Sequence, residues 1–402
     1  MTDVAQATKP AIKARPEVGL TEAILLERLA AMVPDLRARA IETEQLRKLP
    51  EQTMIDARAS GFLSAFRTRH FGGPGLGLSA LANGARVLAH GCASSAWTLV
   101  FLAQHTWMFA KAPLALQEDL LGGEFPGMMA GALAKLGTAE KVDGGYLISA
   151  RSEWNSAIMH SEWVNMKVDV DGVVHLAVLP VKDVTVEDVW FTSGLRGTGS
   201  NTVVAERVFA PTHRVAPNEA MMGTQAHPVH DDEPFASYPF LPVVLMTISG
   251  ISLGSAEAAV DAFRDTISKR VVAFTGGARQ VDRPESHLRL GEIMGTLRLA
   301  QTIWRDSIAQ IVDAYEDRSG MEIEQRVAIR QNASRVTRMA AEILQQITAS
   351  SGGSSYFDAS PLQRMQRDVE VIKSHATLDW DRAAQMMGKV ALGLPLDKTD
   401  MY

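Results

Sequence analysis

The chain has a single cysteine, Cys92, among 402 residues. An intrachain disulfide is therefore impossible, and a zinc or iron–sulfur centre ligated by several cysteines of one chain is excluded. A reducing, cytoplasmic setting is expected. There is no excess of basic residues: 40 Lys and Arg face 46 Asp and Glu, for a formal charge of -6. Neither nucleic acid nor an anionic membrane is an expected partner, because each calls for a basic face. Long hydrophobic runs are missing too. The most apolar stretch, 240–251, is interrupted by Pro242 and Gly250 and is too short to span a bilayer, so it reads as a buried helix. The first 20 residues are polar and lack the apolar centre of a signal peptide, and they read as a disordered lead-in.

What is present falls into three parts. Over 21–126 apolar residues recur at helical spacing, which predicts an N-terminal helical domain. Over 127–235 come short runs rich in Val, Ile and aromatics, at 144–154, 163–170, 173–181, 184–191 and 202–211, followed by a polar connecting loop. They predict the strands of a small antiparallel barrel or sandwich, with hairpins at Asp143-Gly144 and Asp171-Gly172. Over 236–402 helical periods return at 241–270, 285–314, 322–350 and 361–392, predicting a C-terminal four-helix bundle. The fold class is mainly α with a central β domain. No repeat of fixed period is present.

Several segments invite chemistry. The glycines of 72–77 neither follow a predicted strand nor open a helix with a phosphate-binding lysine, so a plain turn is expected. His227, His230, Asp231, Asp232 and Glu233 have metal-ligand side chains, but they lie in a polar loop with no i, i+4 pair, which reads as a solvated loop and not as a metal site. At 151–163, strand alternation puts Trp154 and Ser156 on one side. There they would stack on and hydrogen-bond to a planar heterocycle, or the Trp simply packs in the core, which the pattern alone favours. The loop at 194–200 offers backbone amides, Arg196, Thr198 and Ser200 to an anion or a ring carbonyl; a long turn is the equal alternative. Further on, Gly352 and Gly353 permit close backbone approach, Pro361 starts a helix, and Arg364 and Arg367 share a helical face suited to a diphosphate. His375 lies on that helix or just past it. It is either a group that exchanges protons near neutral pH or a capped, solvent-facing side chain.

Together these residues resemble the acyl-CoA dehydrogenase superfamily, and within it the oxygenase components of two-component flavin monooxygenases. The likeness covers nearly the whole chain. It runs from the Gly-rich passage 59–78 through 90–108 (HGCASSAWTLVFLAQHTWM), the Trp-x-Ser at 154–156, the loop 194–211 and the stretch 351–368 with its Pro-Leu-x-Arg-x-x-Arg-Asp. The resemblance implies that Trp154 lies against the flavin ring and Ser156 bonds near its N5. It implies that Arg196, Thr198, Arg270, Gly352, Gly353, Arg364 and Arg367 bind the cofactor, the last stretch often across a subunit boundary of a homotetramer. Trp97, His105, Trp107 and Ser200 are assigned to the substrate side. Many dehydrogenases of the superfamily carry a Glu-Gly pair where this chain reads Ser374-His375-Ala376-Thr377, and His375 resembles the oxygenase branch.

That branch implies a reaction. A separate reductase supplies reduced FMN or FAD, and O2 adds to give a C4a-hydroperoxyflavin. Ser156 then retains the peroxide, while His375 deprotonates or orients a phenol- or indole-like substrate for hydroxylation. Oxygenation of sulfur or of an amine is the near alternative, and an acyl-CoA dehydrogenase the distant one.

Overall fold

The computed structural model describes residues 19–132, 136–273, 275–397 and 400–402. The expected lead-in over 1–20 therefore lies, but for its last two residues, outside the described residues. Helices come first: α1 (Glu22–Ala38), α2 (Ala40–Leu46), α3 (Glu51–Ser60), α4 (Leu78–Ala89), α5 (Ala93–Met108) and α6 (Leu114–Leu121). Their ends follow local chemistry. The Thr21 hydroxyl accepts the Ile24 amide at 3.3 Å to start α1, and Gly61, at φ 85°, closes α3 in the left-handed conformation.

The strands are β1 (Met129–Gly131), β2 (Gly137–Val142), β3 (Gly145–Asn155), β4 (Trp163–Val170), β5 (Val173–Pro180), β6 (Thr185–Glu187), β7 (Asn201–Pro211) and β8 (Val215–Pro217). They form one sheet in the order β6-β7-β3-β2-β4-β5-β8, with β1 added on β4. Both Asp-Gly hairpins are present, joining β2 to β3 and β4 to β5. Two expectations need correction. The sheet is not wholly antiparallel, because β1 and β2 run parallel to β4. The run 184–191 is a strand only over Thr185–Glu187, where it pairs with β7; beyond it the chain turns away, as the carboxamide oxygen of Asn201 accepts the amides of Val189 and Trp190.

After a short α7 (Asn218–Met222), the long helices α8 (Phe240–Lys269), α9 (Pro284–Glu316) and α10 (Ile323–Ser350) follow, then α11 (Pro361–Lys373) and α12 (Trp380–Ala391). The single helical period expected over 361–392 is broken between Ser374 and Asp379. Helix α8 is long and apolar enough to cross a membrane, but its apolar window is entirely buried in the protein; Pro242 falls in its first turn, where no helical N–H is lost. One apolar core joins α1, α4 and α5 to α8, α9 and α10, a second lies within α8–α11, and a third lies inside the sheet.

Close packing of α8 needs glycine at two places one turn apart. A Cβ on Gly254 would sit 2.1 Å from the Arg86 carbonyl oxygen, and one on Gly250 would sit 2.9 Å from the Trp304 ring. One turn further along α8, Glu257 is buried between α4 and α9. It accepts two bonds from Arg86 (2.8 and 2.7 Å) and lies 3.0 Å from His90 Nε2, with Gln301 also donating. Burial alone would raise this carboxyl, but the bonds from His90, Arg86 and Gln301 overcome it and hold it down at about 2. The folded pKa is depressed, so the stabilisation is present above the unfolded carboxylate pKa and is lost as pH falls toward about 2. The shift corresponds to something on the order of 3 kcal/mol. Glu257→Gln is expected to lower the melting temperature at neutral pH, with the gap to the parent closing as the solution is acidified. A gap that does not change with pH would contradict this.

Candidate active site

Helix α5 carries Trp97, Phe101 and His105 at intervals of four, and so on one face. Trp97 stacks on Phe101 with centroids 4.9 Å apart, and Phe101 meets His105 edge-on at 6.2 Å. The imidazole of His105 is buried; desolvation pushes its pKa down to about 4. Its Nδ1 has no partner among the described residues. Trp107 does not join the row: its indole N–H donates to the Phe235 carbonyl at 2.6 Å, and its ring stacks on Phe235. The expectation that Trp107 faces substrate is corrected to core packing. Phe101 was not singled out in the sequence, although its i+4 spacing from both Trp97 and His105 was the available signal.

Ser156 meets this row end-on. The alternation expected to bring Trp154 and Ser156 to one side fails, because β3 shifts register between Ser152 and Asn155. The Asn155 amide donates to the Ser152 carbonyl at 2.7 Å, and Trp154 and Ala157 take φ values of 64° and 66°. As a result the Trp154 side chain is 62% exposed, while Ser156 is turned inward and is 6% exposed. Ser156 Oγ accepts the Trp97 indole N–H at 3.0 Å and lies 2.7 Å from Ser200 Oγ. Ser200 Oγ is in turn 2.7 Å from Thr198 Oγ1, which donates to the Leu195 carbonyl at 2.9 Å. Thr198 and Ser200, expected to touch cofactor and substrate, are instead buried behind Ser156.

The Gly-rich loop is shaped by what it packs against. Arg196–Thr198 is one 3-10 turn between Leu195 and Gly199, both left-handed. A Cβ on Gly197 would strike Thr43 at 2.3 Å, and one on Gly194 the Arg367 carbonyl oxygen at 2.2 Å. Asp368 fixes the loop to α11 by accepting the Leu195 amide at 2.7 Å; burial raises its carboxyl to about 6, against the pull of that amide and of Arg364 and Arg367. Arg367 is held by Glu44, Gln363 and the Ser193 carbonyl, and Arg364 is buried. The expected diphosphate face is therefore corrected: α11 presents no free pair of charges, since one guanidinium is neutralised and the other is covered. Arg270 donates to the Ser351 carbonyl and fills the space over Gly352, where a Cβ would lie 2.3 Å from its Nη2. Gly353 faces open space, and Arg196 keeps a buried Nε without a partner.

His375 lies just past α11, where Ser374 caps the helix and His375 opens a 3-10 turn over Ala376–Leu378. Its ring meets Trp97 edge-on at 5.6 Å. Nδ1 accepts the Thr377 amide at 3.3 Å and lies 2.8 Å from the Thr377 hydroxyl. With Nδ1 accepting, the hydrogen-bond network assigns the proton of the neutral ring to Nε2. The ring keeps one accessible edge but is sunk far enough that desolvation lowers its pKa to about 4. The turn is clamped from behind by Arg330 of α10, which is 2% exposed. Its guanidinium donates to the carbonyls of Thr377 (3.2 Å), Ala376 (3.3 Å) and Met401. Sequence reading missed Arg330. The only signal was a charged residue at a position the helical period assigns to the core.

The loop expected to be solvated is corrected in part. His230 and Glu233 are buried; His230 Nε2 lies 2.7 Å from the Gln117 carboxamide oxygen, and Glu233 accepts the Arg69 amide at 3.0 Å. Among the described residues no group of three or more His, Cys, Asp or Glu side chains could hold a metal ion.

Four groups near these elements are left open to a ligand. They are an exposed indole at Trp154, a hydroxyl oxygen at Ser156 with capacity to spare, an orphaned guanidinium nitrogen at Arg196, and Gly353, which faces open space. Residues 246–380 match the family model of the acyl-CoA dehydrogenase C-terminal domain. The chain is 33% identical to the flavin-dependent monooxygenase oxygenase subunit HsaA of Rhodococcus jostii, over 93% of this chain and 100% of that protein. It is 27% identical to the p-hydroxyphenylacetate 3-hydroxylase oxygenase component of Acinetobacter baumannii, over 93% and 90%. Among solved structures, XiaF from Streptomyces, in complex with FADH2 and glycerol, superposes with a TM-score of 0.88 at 25% identity, over 94% of this chain and 97% of that one.

Proposed function

The chain belongs to the oxygenase components of two-component flavin-dependent monooxygenases, built on the acyl-CoA dehydrogenase fold, and we propose that it hydroxylates a phenol- or indole-like ring held beside His375 and the Trp97–Phe101–His105 row. The observation that carries this reading is Trp97, which donates to Ser156 on one side and meets His375 on the other. Flavin and substrate groups are thereby brought to one indole. A row of aromatic side chains favours a ring as the substrate.

Reduced flavin from the partner reductase supplies two electrons to O2, so that one oxygen atom enters the ring and the other leaves as water. In our reading Trp154 stacks on the flavin, Ser156 hydrogen-bonds at N5, and Arg196, Arg270, Gly352 and Gly353 lie along its polar side. The lowered pKa and the Nε2–H of His375 favour orientation over proton abstraction: the ring donates to the substrate's oxygen and so fixes which ring carbon faces the reacting oxygen. The buried aromatic row keeps water from the reacting edge. The homotetramer is part of the same proposal and is supported by the exposed rings of Phe191, Tyr356 and Phe357, which a second copy would cover.

Ser156→Ala is the test. Given reduced flavin, O2 and an aromatic substrate, this variant is expected to release H2O2 about three- to tenfold more per flavin than the parent, the scale of one lost hydrogen bond. An unchanged H2O2 share would remove Ser156 from the flavin edge. Anaerobic bleaching of oxidised flavin by an acyl-CoA would instead identify a dehydrogenase.

A further inference from the structure

The hydroxyl chain behind Ser156 has a direction. Each of Ser156, Ser200 and Thr198 has one proton to give. Thr198 Oγ1 donates to the Leu195 carbonyl, so the 2.7 Å contact with Ser200 requires Ser200 to donate to Thr198. Ser156 must then donate to Ser200, because the Ser200 proton is already engaged. The Trp97 indole can only donate, and it donates to Ser156. This order gives every donor in the chain an acceptor. The reverse order leaves the Ser156 proton with no acceptor among the described residues. The Leu195 carbonyl also takes the Trp190 indole N–H at 2.9 Å and the Thr198 amide, so the terminal bond is the weakest link and the one that yields if the chain is forced to flip.

We propose that Ser200 and Thr198 hold Ser156 as a hydrogen-bond acceptor toward the flavin, and that this polarity makes the site select reduced over oxidised flavin. This rests on the placement of Ser156 at the flavin N5. In reduced flavin N5 carries a hydrogen and donates; in oxidised flavin N5 has only a lone pair. An accepting Ser156 complements the first and opposes the second, unless three hydroxyls rotate together and give up the Thr198–Leu195 bond. Such discrimination suits a protein that takes reduced flavin from solution and must let oxidised flavin go. Ser200 and Thr198 are thus positioning residues that act through Ser156.

The test is equilibrium binding of FMN and of FAD, reduced (under anaerobic conditions) and oxidised, to the parent, Ser200→Ala, Thr198→Val and Ser156→Ala. The parent is expected to bind reduced flavin more tightly. Ser200→Ala frees the Ser156 proton to point at N5, so oxidised flavin binds more tightly and reduced flavin more weakly. The ratio of the two affinities falls roughly three- to tenfold, the equivalent of one net hydrogen bond. Thr198→Val, nearly isosteric, moves the ratio the same way. Ser156→Ala weakens reduced flavin alone. If Ser156→Ala changes the ratio while Ser200→Ala and Thr198→Val leave it as in the parent, or lower both affinities equally, the polarity proposal is overturned. If Ser156→Ala changes neither affinity, the placement of Ser156 at N5 is what fails.

Discussion

Replacing His375 with alanine is expected to cut hydroxylated product per reduced flavin consumed by about 10- to 100-fold, the range associated with losing an orienting or proton-handling group. H2O2 takes the place of product, and reduced-flavin affinity stays as in the parent. The split follows from position. His375 meets the row through Trp97 and does not hydrogen-bond to Ser156 or to the loop at 194–200, so its loss spares the flavin side. Its neutral ring donates from Nε2 because Thr377 occupies Nδ1. His375→Asn, which keeps a donor, is expected to retain more product than His375→Ala. Because the pKa lies at about 4, the yield should show no His375 titration between about pH 5 and 8, unlike an unperturbed histidine. Measuring product and H2O2 together against pH checks both points, and loss of flavin binding along with product would assign His375 a structural role instead.

Arg330→Met is expected to reproduce that loss of product without touching His375. The guanidinium satisfies the carbonyls of Ala376, Thr377 and Met401 from a buried position. An apolar replacement leaves acceptors that had a charged donor without one, a cost of at least ~3 kcal/mol. The turn that aims His375 then relaxes. Arg330→Lys keeps the charge but lacks the planar fork that reaches several carbonyls at once, so it should lie between the parent and Arg330→Met. The expected pattern is a lower melting temperature together with uncoupling of flavin oxidation from product. A lower melting temperature with coupling intact would make Arg330 a stabilising residue only.

The parts of the fold legible in the sequence were those set by near neighbours. Helical spacing located α8, α9 and α10 to within a residue or two, and the Asp-Gly pairs placed two hairpins. Illegible were features fixed by distant contacts. The register shift before Asn155 undid a sound period-2 argument about Trp154 and Ser156, because the asparagine side chain bonds back to the Ser152 carbonyl and to Asn201 on the neighbouring strand. The break after Lys373 depends on Arg330, more than 40 residues earlier. His230 and Glu233 have the composition of a solvated loop, yet Gln117 and the Arg69 amide draw them inward. The candidate site was located by family resemblance more than by spacing, since a lone serine and a lone histidine have no periodic signature.

Anaerobic protein charged with reduced flavin is mixed with 18O2 and a panel of phenols, indoles, thioethers and amines, and the products are read by mass spectrometry. The expected result is a ring-hydroxylated product carrying a single 18O, formed in proportion to the flavin oxidised. Quantitative H2O2 with no labelled product across the panel, or 18O found only on sulfur or nitrogen substrates, would contradict it.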